Sequence, residues 1–189
     1  MTETETTLSG KLLIAMPEMG DPRFAKTVIY MCAHSDEGGM GLIVNKPIVE
    51  TTMSELLSQL DISISAPVDH VKVLAGGPVD PARGFLLHTD DYACDAGTLQ
   101  TGNGLSMTAT QDALQDIAAG RGPSKARLAL GYAGWGPGQL EYEITQNGWL
   151  TATATSDLIF DDAGGDKWTM ALRSMGIDPL LLSASAGHA

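Results

Sequence analysis

Basic side chains are scarce in this sequence: 11 Lys and Arg stand against 23 Asp and Glu, a formal net charge of -12. Such a chain repels polyanions. Direct nucleic-acid binding draws much of its affinity from clustered Lys and Arg that displace phosphate counterions, so the charge disfavours it. The densest basic stretch, Arg121, Lys125 and Arg127 around Gly122-Pro123, reads as a solvated loop. Cysteine is nearly absent as well. Cys32 and Cys94 form no C-x-x-C pair, so neither a zinc site nor a redox motif follows. Cys32, in TVIYMCAH, reads as a small core residue, and the carboxylates around Cys94 in DDYACDAG disfavour its thiolate. A disulfide between the two stays open. His34, His70, His88 and His188 have no i, i+4 partner, and no HExxH or EF-hand pattern occurs, so no metal and no cofactor is expected. No apolar run reaches the 18 residues of a membrane span. The opening MTETETTLSG lacks the basic and apolar regions of a signal peptide, and a cytoplasmic location is the expectation.

Glycine, by contrast, is abundant. Its 22 residues in 189 are roughly 12% of the chain against a usual ~7%, which points to many tight turns. A hydrophobic fraction of 43% and a charged fraction of 18% are those of a globular protein. A chain this long buries about 70% of its unfolded surface, and no linker or repeat divides it. The expectation is one domain over 1–189, with 1–7 and 183–189 loose.

Apolar runs bounded by glycine, proline and acidic turns predict strands at about 12–16, 27–34, 41–45, 71–75, 84–88, 105–109, 128–133 and 149–153. Four other segments have helical spacing. In TTMSELLSQL, Met53, Leu56, Leu57 and Leu60 make one stripe, and Thr52 with Glu55 forms a capping box. QDALQDIAAG aligns Ala113, Leu114, Ile117 and Ala118 before Gly120. PGQLEYEITQN starts at Pro137, whose fixed φ suits a first helical position. DKWTMALRSMG carries Trp168, Ala171, Leu172 and Met175 on one face. This irregular order of elements favours an α+β fold with a mixed, largely antiparallel sheet.

Three glycine-punctuated stretches are candidates for function. In HSDEGGMGLIVNKP the glycines read as a hairpin turn, because a strand rather than a helix follows them; Asn45 and Lys46 then stand at a strand end where they can face a cleft. In LAGGPVDPARGFLLHT, Gly76-Gly77-Pro78 permits close backbone approach, and Arg83 and His88 flank an apolar run. A histidine satisfied by backbone is the preferred reading of His88 over a catalytic base, since no nucleophile motif accompanies it. In GYAGWGPGQLEYEI a Gly/Pro loop leads into a helix on which Gln139 and Glu143 lie one turn apart, with Trp135 as a wall. The bland reading is that Trp135 fills core while Gln139 and Glu143 bind backbone. The pairs Asp90-Asp91 and Asp161-Asp162 read as solvated turns.

With these segments in their order, from about Leu8 to Leu182, the chain resembles the bacterial AlgH/YqgE family. Met40 stands where the family often has alanine, and Lys46 where it often has arginine. The resemblance implies a bifurcated sheet curled into a pseudo-barrel and covered by about four helices. It maps motif positions onto Asp21, Asn45, Gly76, Gly77, Pro78, Arg83, His88, Trp135, Gln139 and Glu143, carried as candidate cleft residues for a small molecule or protein partner. The family name comes from a proposed role in transcriptional regulation. The expectation is a non-enzymatic regulatory or ligand-binding module. An enzyme using His88 or Glu143 as acid/base is the alternative, and a direct DNA-binding regulator the second.

Overall fold

A computed structural model describes residues 7–17, 22–94, 97–162 and 166–186. Among these residues nine strands form one sheet: β1 (Lys11–Ala15), β2 (Val28–Ser35), β3 (Gly38–Ile43), β4 (Lys72–Ala75), β5 (Val79–Thr89), β6 (Thr98–Gly102), β7 (Leu105–Thr108), β8 (Ala126–Trp135) and β9 (Trp149–Thr153). Among the described residues a short 3-10 turn (Pro22–Phe24) and six α-helices accompany them: α1 (Met53–Gln59), α2 (Gln111–Ala118), α3 (Gln139–Thr145), α4 (Ser156–Phe160), α5 (Lys167–Ser174) and α6 (Pro179–Ala186). The fold is α+β, as expected. The strand order is β6-β7-β5-β8-β3-β2-β1-β9, antiparallel throughout, with β4 joining β8 in parallel. The sheet curls on itself, bringing β6 to β2, where Tyr30 Oη meets Thr101 Oγ1 at 2.6 Å.

β8 is where the sheet divides. Its first half, up to Leu130, runs between β4 and β5, and its last residues from Ala133 pair with β3. The change of partner falls at Gly131, which adopts φ +77°. The β5–β8 register is also irregular here, Val79 facing Tyr132 and Gly84 facing Leu130, and such an irregularity can reverse which side chains face which side. The packing follows that reversal. Leu128 and Leu130 point outward beneath α1 and α2, with Met53, Leu57 and Ile117. Beyond Gly131 it is Ala133 and Trp135 that point outward, against Leu140 of α3 and Trp149. The inner face holds the largest core, in which Leu12, Tyr30, Leu42, Phe85 and Ala129 pack on Phe160, Trp168 and Leu172 from α4 and α5.

Helix ends follow their capping chemistry. Thr52 Oγ1 accepts from Glu55 N at 3.2 Å and Asp166 Oδ1 from Thr169 N at 2.8 Å. Pro137 is not the first residue of its helix: Gly138, at φ 72°, precedes a helix that begins at Gln139. Two helices lie outside the four expected. α4 is five residues long, too short for a periodic stripe, and the α6 segment PLLLSASA has its leucines in one consecutive run rather than at helical spacing. No helix among the described residues is long and apolar enough to cross a membrane.

Candidate functional site

The Gly76-Gly77-Pro78 motif sits against the branch point of β8. Gly76 N donates to Leu130 O at 2.7 Å, and Gly76 O accepts from Ile43 N at 2.9 Å. A Cβ on Gly76 would lie 2.3 Å from Gly131 O, and one on Gly77 would lie 2.1 Å from Tyr132 C. Close approach is therefore the role of both glycines, as the sequence suggested, but what approaches is the protein's own backbone. Gly76 has both its amide and its carbonyl engaged there.

Trp135, Gln139 and Glu143 also share one neighbourhood. Glu143 Oε1 accepts from two indoles, Trp149 Nε1 at 3.1 Å and Trp135 Nε1 at 3.3 Å. The two rings meet edge to face, 6.1 Å between centroids. Gln139 Oε1 accepts from Gly136 N at 2.9 Å, which closes the glycine loop onto the start of α3. These bonds attach α3 to the ends of β8 and β9. Asn45 has a similar part at the other end of β3: its Oδ1 accepts from Val28 N and its Nδ2 donates to Lys26 O, both at 2.9 Å.

His88 is wholly buried, on the far side of β5 from the inner core. Its Nδ1 lies 2.7 Å from the Thr89 carbonyl, which can only accept, so Nδ1 carries the proton. Nε2 then accepts from Thr108 Oγ1 at 2.8 Å, Thr108 accepts from Thr98 at 2.7 Å, and Thr98 accepts from Cys94 N at 2.9 Å. Every donor in this chain points the same way, an arrangement in which each bond polarises the next. Burial pushes the His88 pKa below its ordinary 6.5, against the opposing pull of the Thr89 carbonyl and of Asp91 and Asp90. Below that pH the unfolded chain binds a proton that the folded chain refuses. The contribution to stability is thus complete above about pH 6.5 and declines as pH falls, by up to about 1.4 kcal/mol per unit. Denaturation midpoints at pH 7.5 and 5.5 should differ less for His88→Gln than for the native chain; equal pH dependence would remove His88 as the cause.

An open cleft of about 890 Å³ lies at the mouth of the curled sheet, and two of the ten motif residues, Arg83 and Trp135, line it. The Arg83 guanidinium is exposed and stacks over the Phe85 ring at 5.0 Å, and Tyr132 meets the same ring edge to face. Met40 and Met107 extend this apolar floor. Cys32 also borders it, but burial pushes its thiol up to about 12, so it stays protonated near neutrality. Both cysteines are free thiols. His34 forms part of the rim. Its Nδ1 accepts from Leu8 N at 3.1 Å, which leaves Nε2 to donate to the Glu141 carboxylate. Glu141 is held below its ordinary pKa by its own backbone N–H first and by His34 second. Nothing local in the sequence marks this pair, whose members are 107 residues apart. Asn45, His88 and Glu143 are not among the cleft's lining residues. Asp21 lies outside the described residues. Among the described residues no three His, Cys, Asp or Glu side chains gather as a metal-ligand set.

A family model described as AlgH-like matches residues 12–180. The chain belongs to the AlgH-like family. A UPF0301 protein of Ruegeria pomeroyi is 57% identical over 183 residues, covering 96% of this chain and 99% of that relative. A UPF0301 protein of Jannaschia is 56% identical over 183 residues, with 96% and 95% covered. The solution structure of the AlgH protein from Pseudomonas aeruginosa is 41% identical, covers all of both chains and superposes with a TM-score of 0.78. A crystal structure from Corynebacterium diphtheriae, 23% identical with 97% and 94% covered, shares the fold at a TM-score of 0.75. The AlgH-like fold thus accounts for the curled, divided sheet.

Proposed function

We propose that the protein is a non-enzymatic ligand-binding module, and that its site is the cleft at the mouth of the sheet. The observation that carries this reading is the cleft's make-up: an open 890 Å³ hollow with an apolar floor, a single cationic side chain, Arg83, stacked on Phe85, and a polar rim that includes His34, Glu37 and Gln100. A hollow of that size with an apolar floor and polar groups at its rim is of the kind that holds small molecules. The chemistry fits a flat, largely apolar molecule bearing a carboxylate, with the ring against Tyr132 and Phe85 and the anion on Arg83. His88 and Glu143 do not favour the enzyme reading, since one is buried within a closed chain of hydrogen bonds and the other already binds two indoles. The net charge of -12 weighs against direct contact with DNA, so any part in transcriptional regulation would run through the bound ligand or a protein partner. In this reading the chain works as one cytoplasmic domain.

A thermal-shift screen of aromatic carboxylates, followed by NMR titration of the hits, tests it. The expected result is saturable shifts at Met40, Phe85 and Tyr132, with Arg83→Gln weakening binding about tenfold while leaving the unbound chain as stable as before. Hits that shift no cleft residue, or a screen without any stabilising compound, would overturn the proposal.

A further inference from the structure

At the opposite ends of β3 and β8 from the cleft, a second cavity of about 310 Å³ is lined by Asn45, Lys72, Arg127, Asp162, Asp166 and Lys167. Arg127 and Lys167 are only 7% and 9% exposed. They share one carboxylate: Asp162 Oδ2 lies 3.1 Å from Arg127 Nη2, and Asp162 Oδ1 lies 3.1 Å from Lys167 Nζ. Asp162, exposed as a solvated turn should be, nonetheless bridges two buried cations, a pairing that the sequence does not signal. Asp166 is committed elsewhere, capping α5 through Thr169 N. The lining holds three cations and two carboxylates, a local positive excess within a chain of net charge -12. A desolvated cation costs free energy unless a counterion meets it fully. Lys167 Nζ donates to Asp161 O at 3.0 Å and pairs with Asp162 Oδ1 at 3.1 Å.

We infer that this cavity is a binding site for a small oxyanion, such as phosphate or a carboxylate, held by Lys72 and Lys167 beside the Arg127–Asp162 pair. Lys72 is exposed and brings its charge to the opening; the two buried cations supply a field that solvent screens poorly. The cavity volume admits a free anion or a small phosphoester, and the acidic surface around it turns away a long polyanion.

The test is an NMR titration of the full chain with inorganic phosphate, chloride being exchanged for it at constant ionic strength. Saturable shifts are expected in the amides of 44–46, 72–74, 127 and 167. Lys72→Gln should raise the apparent dissociation constant about tenfold without moving the unfolding midpoint of the phosphate-free protein. Asp162→Asn should tighten binding, because the bridging carboxylate competes with the incoming anion; a purely structural triad would lose stability and gain no affinity. Shifts that rise linearly without saturation, that persist unchanged in Lys72→Gln, or that centre on Arg121 and Lys125 would overturn the inference.

Discussion

Gly77→Ala is expected to abolish the native fold or to cost more than about 4 kcal/mol, a loss comparable with the whole stability of many domains. The added Cβ would stand 2.1 Å from Tyr132 C, 2.2 Å from Tyr132 O and 2.4 Å from Ala133 N. All three are backbone atoms, so no rotamer change relieves the clash. Relief would require β8 to move away where it leaves β4 for β3, which breaks the Gly41–Ala133 pairing and the Ile43 N bond to Gly76 O. Gly136→Ala is the control. Its Cβ would meet nothing nearer than Gln139 Oε1 at 3.9 Å, and a change within about 0.5 kcal/mol is expected. Denaturation midpoints of the two variants decide the matter. A Gly77→Ala protein as stable as the native chain would show that the crossing is looser than its geometry implies.

Glu143→Ala is expected to loosen the attachment of α3 to the ends of β8 and β9. One carboxylate oxygen satisfies two indole N–H groups, on Trp135 and Trp149, which are 8% and 2% exposed. Removing it strands both donors, and each unsatisfied buried group costs about 1–3 kcal/mol. A total near 2–4 kcal/mol is expected, reduced where water reaches the site. Glu143→Gln keeps a carbonyl oxygen in place and should lose about 1 kcal/mol. The indole proton resonances give a direct readout: those of Trp135 and Trp149 should shift, while that of Trp168, which donates to Ala15 O at 2.7 Å, should not. If the Trp168 signal moves as much as the others, the damage is global and the two-indole bond is not its source.

Much of the fold was legible in the sequence because it is written in local signals. The stripes of α1, α2 and α5 and the cap at Thr52 depend on residues three or four apart, and β1, β2 and β9 are apolar runs between turns. β6 escaped because TLQTG has no apolar run, and β5 begins five residues before the expected start because VDPAR reads as a turn. The candidate site was less legible. Its glycines pointed correctly to close backbone approach, but only the fold shows that Gly76 and Gly77 approach β8. His34 found Glu141, and Glu143 found two tryptophans, across distances that no spacing rule covers. Arg83 stood out through the family motif, and its partner Phe85, two residues away on the same face of β5, could have been read from strand alternation alone.

The division at Gly131 has a consequence for how the molecule comes apart. β8 is edge-bonded to β5 along one side and to β4 and then β3 along the other, so it belongs to both halves of the sheet. Neither half can peel away while keeping its own hydrogen bonds, and a partly opened form would expose the apolar faces of two cores together. Loss of structure is therefore all-or-none across the halves, with β8 the last strand to exchange its amide hydrogens with solvent.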